Sequence, residues 1–592
     1  MGRIETAPEN GQRATNPPVQ SHVPDSRGNN VYRADPAFAA LLSIYLPEAL
    51  RSVLEPQLDS LGELVGDRLE RLALTADKNP PTLTLRDRTG EPCQRVEKHP
   101  AYEEMERIAF SEFGLAAMSH RGGVFEQNGP LHPMAKYALV YLFVQAEFGL
   151  CCPLSMTDSL TRTLRKFGSE ELIGRYVDRL TSQDMDELYQ GAMFMTEQAA
   201  GSDVGAVETI SRQEDGVWKL YGDKWFCSNP DAALAMVLAR PEGAGPGTKG
   251  LSLFLLPRHR PDGTLNAYRI VRLKDKMGTR SMASGEIVLE GAEAYLVGDE
   301  GQGFRQMTDM INMSRLANGV RSAGLMRRSV SEALFIARHR SAFGKLLIDM
   351  PLMRRQLVKM LLPTEQARSM VFQTARVLHA ADQGDEAMAK VLRILTPLVK
   401  FRACRDARKV TGDAMEVRGG CGYIEEWSDA RVLRDAHLGS IWEGTSNIVA
   451  LDVARAARRE GALEALTNYL RSCLQSVDAE LEEPIGAALN RAGELILAVA
   501  RTDGPACEVE TRRAATALYN VTSAAFLAWE SAQLAGTVPD IAKDRARLAG
   551  MVLTERLGAR DPLALAEAEP DWLTGLLIRA GRDANHAAMA AE

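Results

Sequence analysis

The apolar residues of this 592-residue chain change their spacing twice, and that change sets what the chain can fold into. From about residue 36 to 190 they recur at every third and fourth position, the period of amphipathic helices. The runs are Ala37–Val53 (interrupted at Pro47), Pro100–Met118 and Pro130–Leu150, with a polar stretch around Asn79-Pro80-Pro81 after the first. Between about 191 and 300 the spacing shortens to two. Val217–Tyr221 and Leu251–Leu256 alternate, Gly285–Glu290 less strictly, with Gly, Pro and Asp between them, the pattern of an antiparallel sheet or small barrel. Helical spacing returns in Met307–Arg340, Met350–Ala381, Glu386–Val417 and Asn447–Leu474, and Ala- and Leu-rich helical text follows. Helices, then strands, then helices predict an α+β chain with separated layers. The expected division is a disordered arm at 1–30, a helical domain at 31–190, a β-domain at 191–300, a four-helix-type domain at 301–455 and a further helical domain at 456–592.

Composition excludes several classes of function. The length calls for three or four domains or sub-domains, and 45% apolar residues rule out wholesale disorder. With 70 Lys+Arg against 78 Asp+Glu, no overall cationic field draws in nucleic acid or anionic membrane. Eight Cys without a CxxC pair predict a reducing, cytoplasmic setting rather than a disulfide scaffold. No apolar run approaches the ~18 residues of a membrane span, and the N-terminus lacks an apolar signal core. Nine His without HExxH spacing predict no metal site. Gly298–Gly303 and Arg418–Tyr423 are Gly-rich but lack the strand–turn–helix order of a dinucleotide fingerprint or P-loop. No GxSxG elbow is present.

Four segments carry chemistry. Met193–Val204 reads as a strand running into a small-residue loop, whose hydroxyls and glycine let donors approach a planar, electron-poor ring. Gly222–Asn229 holds an aromatic pair followed by a hydroxyl. Arg338–Lys345 is basic and ends a helix. Ser440–Ile448 places an acid in an apolar setting at a loop-to-helix junction.

Together and in this order, these segments resemble the acyl-CoA dehydrogenase superfamily of flavoproteins. MTEQAAGSDV is similar to the family's TEP-x-x-GSD segment, RHRSAFGK to its R-x-x-FGK element, EVRGGCGY to GG-x-GY and IWEGTSNI to YEGT. Lys224-Trp225-Phe226-Cys227-Ser228 in place of K-x-W-I-T, Trp442 in place of Tyr, Asn447 with Leu451-Asp452-Val453 following, and the Asn79-Pro80-Pro81 … His99-Pro100-Ala101 framework resemble the AidB-like branch. The resemblance implies FAD lying between the β-domain and the C-terminal helices. Met195, Thr196, Gly201 and Ser202 then contact the ring, Phe226 and Ser228 cover its other edge, and Trp442 lies beside the catalytic base. Thr445 and Asn447 hold the ribityl or pyrophosphate region near a helix N-terminus. Arg340 reaches the FAD of a neighbouring subunit, with Gly419 and Gly420 against its adenosine, which implies a homodimer or homotetramer.

By the same resemblance Glu443 is the general base of α,β-dehydrogenation, its pKa raised by an apolar pocket. The alternative reading is a helix N-terminal Glu favoured by the dipole. Some relatives place the base on a preceding helix, but the matching position is Ser314, which cannot serve. Trp442 is bulkier than Tyr and narrows the acyl cavity, predicting short or branched acyl-CoA thioesters, with electrons passing to a flavoprotein or to oxygen. Two other functions stay open: a DNA-associated protective flavoprotein with residual dehydrogenase activity, and a flavin oxidase or monooxygenase on the same scaffold. Residues 461–592 carry 12 Lys+Arg against 19 Asp+Glu, which argues against DNA as a partner of that region. The basic run Lys400–Lys409 reads as a solvated or inter-subunit face.

Overall fold

Pro47 stops the first helical run because it lacks an N–H and fixes φ. In the computed structural model, which describes residues 23–501, 505–559, 563 and 569–583, α1 (Pro36–Tyr45) ends before it and α2 (Glu48–Gly66) starts after it. α3 (Arg68–Lys78) follows, then α4 (Pro100–Glu106, continued by a π-helical turn over Arg107–Glu112), α5 (Pro133–Phe143), α6 (Cys151–Phe167) and α7 (Glu170–Leu180). The polar stretch after Asn79 is not merely a separator. It forms a hairpin of β1 (Thr82–Arg86) and β2 (Pro92–Glu97), whose Val96 plugs the barrel described below. The disordered arm expected over 1–30 is corrected for residues 23–30. Residues 1–22 lie outside the described residues, whereas Gly28 N–H donates to Gly66 O at 3.0 Å and the buried Asn30 donates to Asp59 O at 2.9 Å. Glycines one turn apart on α2 permit this close approach: a Cβ at Gly66 would sit 2.0 Å from Asn29 O, and one at Gly62 2.3 Å from Asn30 Oδ1.

The period-two segment forms seven strands: β3 (Gly191–Phe194), β4 (Ile210–Glu214), β5 (Val217–Ser228), β6 (Leu234–Pro241), β7 (Ser252–Pro257), β8 (Tyr268–Leu273) and β9 (Ser284–Val297). They pair in the order β3-β6-β4-β5-β9-β7, β7 closes back onto β6, and β8 lies on β9. The pairing is antiparallel except for β3–β6 and β4–β6. β6 and β7 are buried on both faces. Ala235, Val237, Ala239, Phe254 and Leu256 point into the barrel core, while Leu234, Met236, Leu238, Leu253 and Leu255 join the helical core. Burial on both faces makes these strands near-continuous apolar runs, which corrects the alternation expected for Leu251–Leu256.

α8 (Gly303–His339) and α9 (Pro351–Asp382), joined through the two-residue strands β10 (Ser341–Ala342) and β11 (Lys345–Leu346), pack with α10 (Glu386–Arg418) and α11 (Ser428–Gly439). The run expected as one helix from Asn447 to Leu474 is two, α12 (Ser446–Arg459) and α13 (Ala462–Leu474), because Gly461 adopts φ +61° between them. α14 (Ala479–Arg501), α15 (Pro505–Leu534), α16 (Pro539–Val552) and α17 (Trp572–Arg579) follow among the described residues and share one hydrophobic cluster with the preceding helices.

A buried ionic network fastens these last helices to the rest. Arg545 of α16 donates to Glu530 of α15 (2.8 Å) and to Ser369 of α9 (2.6 Å), and it also pairs with Glu365. Tyr45 of α1 donates to the other oxygen of Glu530 at 2.7 Å. Arg368 donates at 2.7 Å to Asp35, the N-cap of α1. All of these charged side chains are buried. Removing one partner of a buried pair leaves a charge without compensation, so Arg545→Met is expected to cost about 3–5 kcal/mol of stability by urea unfolding. A Glu530→Gln change on top of it is expected to recover part of that loss.

Candidate active site

The site is built where the barrel's edge meets α8, α10 and α12. A cleft of about 2160 Å³ opens there, lined among others by Met195, Thr196, Gly201, Ser202, Phe226, Ser228, Trp442, Glu443 and Thr445. Nine of the thirteen residues expected from sequence therefore share one cavity. The structure does not bring Asn447 to it: this side chain is exposed and faces Arg512 of α15 at 3.4 Å. Arg340, Gly419 and Gly420 also lie outside the cleft. They form an exposed group of their own at the ends of α8 and α10, where Arg340 donates to Arg418 O at 2.9 Å.

The barrel side of the cleft depends on a bulge. The register of β5 against β9 shifts between Lys224 and Cys227, and Trp225 N–H turns to Thr196 O at 2.9 Å. Such bulges re-aim side chains. Lys224 goes inward, while Phe226 is left 58% exposed on the cleft wall. Lys224 Nζ donates to Glu197 Oε1 at 2.6 Å and to Leu238 O at 2.9 Å, and Glu197 also accepts from the N–H of Glu208 (2.6 Å) and of Thr209 (3.2 Å). Burial alone would raise the Glu197 pKa. The Lys224 ammonium and these donors outweigh burial and hold it below the usual carboxylate range. One ion pair thus pins the 196–209 loop to the strand that carries Phe226 and Ser228.

Glu443 lies in the loop between α11 and α12 with φ +53°, two residues before Thr445, the N-cap of α12. Its carboxylate does not face the helix N-terminus. It turns to α8, where Ser314 Oγ and Asn318 Nδ2 donate to its two oxygens. The apolar setting expected from sequence is thereby corrected. A buried helix presents polar residues four apart on one face, and both reach the carboxylate. The loop is tied down by Arg315 Nε to Glu443 O (3.4 Å) and by Lys400 Nζ to Gly444 O. Lys400, expected on a solvated or inter-subunit basic face, is buried. Trp442 stacks on Phe148 with ring centroids 5.8 Å apart and an interplanar angle of 18°. The buried Arg321 guanidinium lies 4.9 Å from its indole, so a cation–π contact fixes the ring.

Comparison with known proteins agrees with this order of domains. Residues 21–187 match the Adaptive response protein AidB N-terminal domain, 192–292 the Acyl-CoA dehydrogenase middle domain and 301–458 the Acyl-CoA dehydrogenase C-terminal domain. The chain is 32% identical over 502 residues to Acyl-CoA dehydrogenase family member 11 of Caenorhabditis elegans, covering 82% of this chain and 80% of the relative. The chain belongs to the acyl-CoA dehydrogenase family. It is also 36% identical over 420 residues to Putative acyl-CoA dehydrogenase AidB of Escherichia coli, covering 69% and 74% of the two chains, which places it on the AidB-like branch. The solved structure of Caenorhabditis elegans ACDH-11 in complex with C11-CoA superposes with a TM-score of 0.83 at 28% identity, over 93% of this chain and 94% of that one.

As an acyl-CoA dehydrogenase-like oxidoreductase the chain is FAD-dependent. The cleft fits a flat heteroaromatic ring. Phe226, Met277 and Ile441 expose apolar surface into it, and the buried Trp442 Nε1 has no partner among the described residues. Sequence reasoning missed Asn318, Arg315, Lys400 and the Glu197–Lys224 pair. The signal available for the first was Ser314 and Asn318 spaced four apart in an otherwise buried helical run.

Because Glu197 is held low in the folded protein, its contribution is present above the ordinary carboxylate pKa and is lost as pH falls through the lowered value. In Lys224→Met the burial effect prevails and the carboxyl protonates at higher pH. Flavin release, followed by its fluorescence during acid titration, is expected to shift to higher pH in Lys224→Met than in wild type.

Proposed function

We propose that the protein catalyses α,β-dehydrogenation of an acyl-CoA thioester, with Glu443 as the base. The observation that carries this reading is the Glu443 carboxylate opening on the same cleft as Thr196, Phe226 and Ser228. FAD, when bound, supplies the acceptor for the hydride that leaves the β-carbon. Glu443 takes the α-proton, and the left-handed turn with its Arg315 and Lys400 tethers fixes the carboxylate's approach. Ser314 and Asn318 donate hydrogen bonds to that carboxylate and fix its orientation. Met195, Thr196, Gly201 and Ser202 line one side of the flavin position, Phe226 and Ser228 another, and Thr445 offers a hydroxyl at the N-terminus of α12. Electrons then pass to an external flavoprotein or to oxygen.

An acyl-CoA substrate class is supported by the C11-CoA complex of the nematode relative. Trp442, locked between Phe148 and Arg321, narrows the acyl end and favours short or branched chains. Exposed Phe343 and Tyr423, 97% and 79% exposed, flank the Arg340–Gly419 group, and we assign this face to a second copy of the chain, as a homodimer or homotetramer requires.

Anaerobic titration with a panel of acyl-CoAs tests the reading by flavin bleaching. Wild type is expected to bleach, and Glu443→Gln to bleach about 10²–10⁴-fold more slowly. No bleaching by any thioester would transfer the site to oxidation of a small damaged or nitro compound. In the same assay Trp442→Ala is expected to lengthen the longest chain accepted; an unchanged chain-length profile would show that Trp442 does not bound the acyl end.

A further inference from the structure

Lys276 is a half-buried cation with no role in the reading above. It lies in the loop between β8 and β9 and lines the same cleft as Ser228, Ser284 and Cys152. Its ammonium donates to Met282 O at 2.6 Å and to Ser284 Oγ at 3.1 Å. Neither acceptor carries charge, so one N–H and the net charge are left for whatever fills the cleft. Ser284 sits directly opposite Ser228 in the β5–β9 ladder, which places the ammonium at the strand end that presents Ser228.

The loop is held rigidly around it. Thr279 N–H donates to Asp435 Oδ1 at 2.6 Å, and Ser281 Oγ donates to Glu147 Oε1 at 2.8 Å. These two carboxyls and the Cys152 thiol are the acidic groups that face Lys276. Burial pushes Asp435 up to about 7 and raises Glu147 as well, so at neutral pH they do not fully cancel the ammonium. Burial also pushes Lys276 itself down to about 8, which leaves it mostly charged at pH 7.

We propose that Lys276 tunes the bound flavin: its spare N–H and its charge face the ring edge that Ser228 serves and favour the electron-rich, reduced ring. The inference rests on the FAD placement given under Proposed function. A fixed charge near a flavin is one of the means by which a protein sets the cofactor's electronics.

The test is the reduction potential of the holoenzyme, measured by equilibration with a reference dye at pH 7 for wild type, K276M, K276Q and K276R. The neutral variants are expected to shift the reduction equilibrium at least tenfold toward the oxidised ring, which is about 30 mV for a two-electron couple. K276R, which keeps the charge, is expected to stay close to wild type. Should K276M fail to fold, K276Q, which keeps a donor for Met282 O, carries the comparison. Equal potentials in all four proteins would overturn the proposal, as would a fall in K276R as large as in K276Q, since that marks lost shape rather than lost charge. Potentials that do not depend on Lys276, in an enzyme that still bleaches with acyl-CoA, would sink this inference alone. Failure of every thioester to bleach the flavin would sink the dehydrogenase reading instead.

Discussion

α8 is buried along almost its whole length, and that constraint organises the molecule. A helix enclosed on all sides cannot leave its polar side chains to water, so each must find a partner inside the protein. Along Gly303–His339 the partners come from different layers of the fold. Ser314 and Asn318 meet the Glu443 carboxylate, Arg315 meets Asp452 of α12, and Arg321 meets the rings of Phe148 and Trp442. Further on, Arg327 meets Asp35, Arg328 meets Glu70, and Arg338 donates to the carbonyls of Leu577 and Ile578. The same requirement that stabilises the helix therefore orients the Glu443 loop toward one end and anchors the last described helix at the other.

The barrel contributes a second constraint. β6 and β7 have no solvent face, so they join the barrel core to the helical core and fix the distance between the strand that carries Phe226 and the helix that carries Ser314. The bulge in β5 lies at the edge of that junction and leaves Phe226 on the cleft wall. A buried ion pair, Glu197–Lys224, holds the bulge and the 196–209 loop in register. Charge and hydrogen bonding thus shape the cavity as much as apolar packing does.

Much of the site was legible in the sequence because its residues fall in short contiguous runs. Thr196 with Ser202, Phe226 with Ser228, and Trp442 with Glu443 and Thr445 each come from a segment whose spacing survives folding. The residues that were missed act across long sequence separations. Asn318 is 125 residues from Glu443 and Lys400 is 44 residues from Gly444, so no local pattern links them. Lys400 was misread for a physical reason: a cation in a basic run normally faces water, and only the packing of α10 against the Glu443 loop buries it. The hairpin β1–β2 escaped although Thr82–Leu85 alternates, because its strands are short, partly exposed and set inside a helical stretch.

The sequence by itself determined the order of helical and stranded segments, because hydrophobic period is a local property that burial must respect. It also determined the family, through four short motifs in order, and the break between α1 and α2 at a proline. Only the tertiary structure decided that Glu443 lies in a polar rather than an apolar setting. Only the fold showed that Asn447 leaves the cleft for Arg512, and that the final helices are fastened by buried charges instead of standing apart. These are matters of which groups desolvate one another, and desolvation depends on contacts between residues hundreds of positions apart. The period of a sequence records which face is buried, but not what it is buried against.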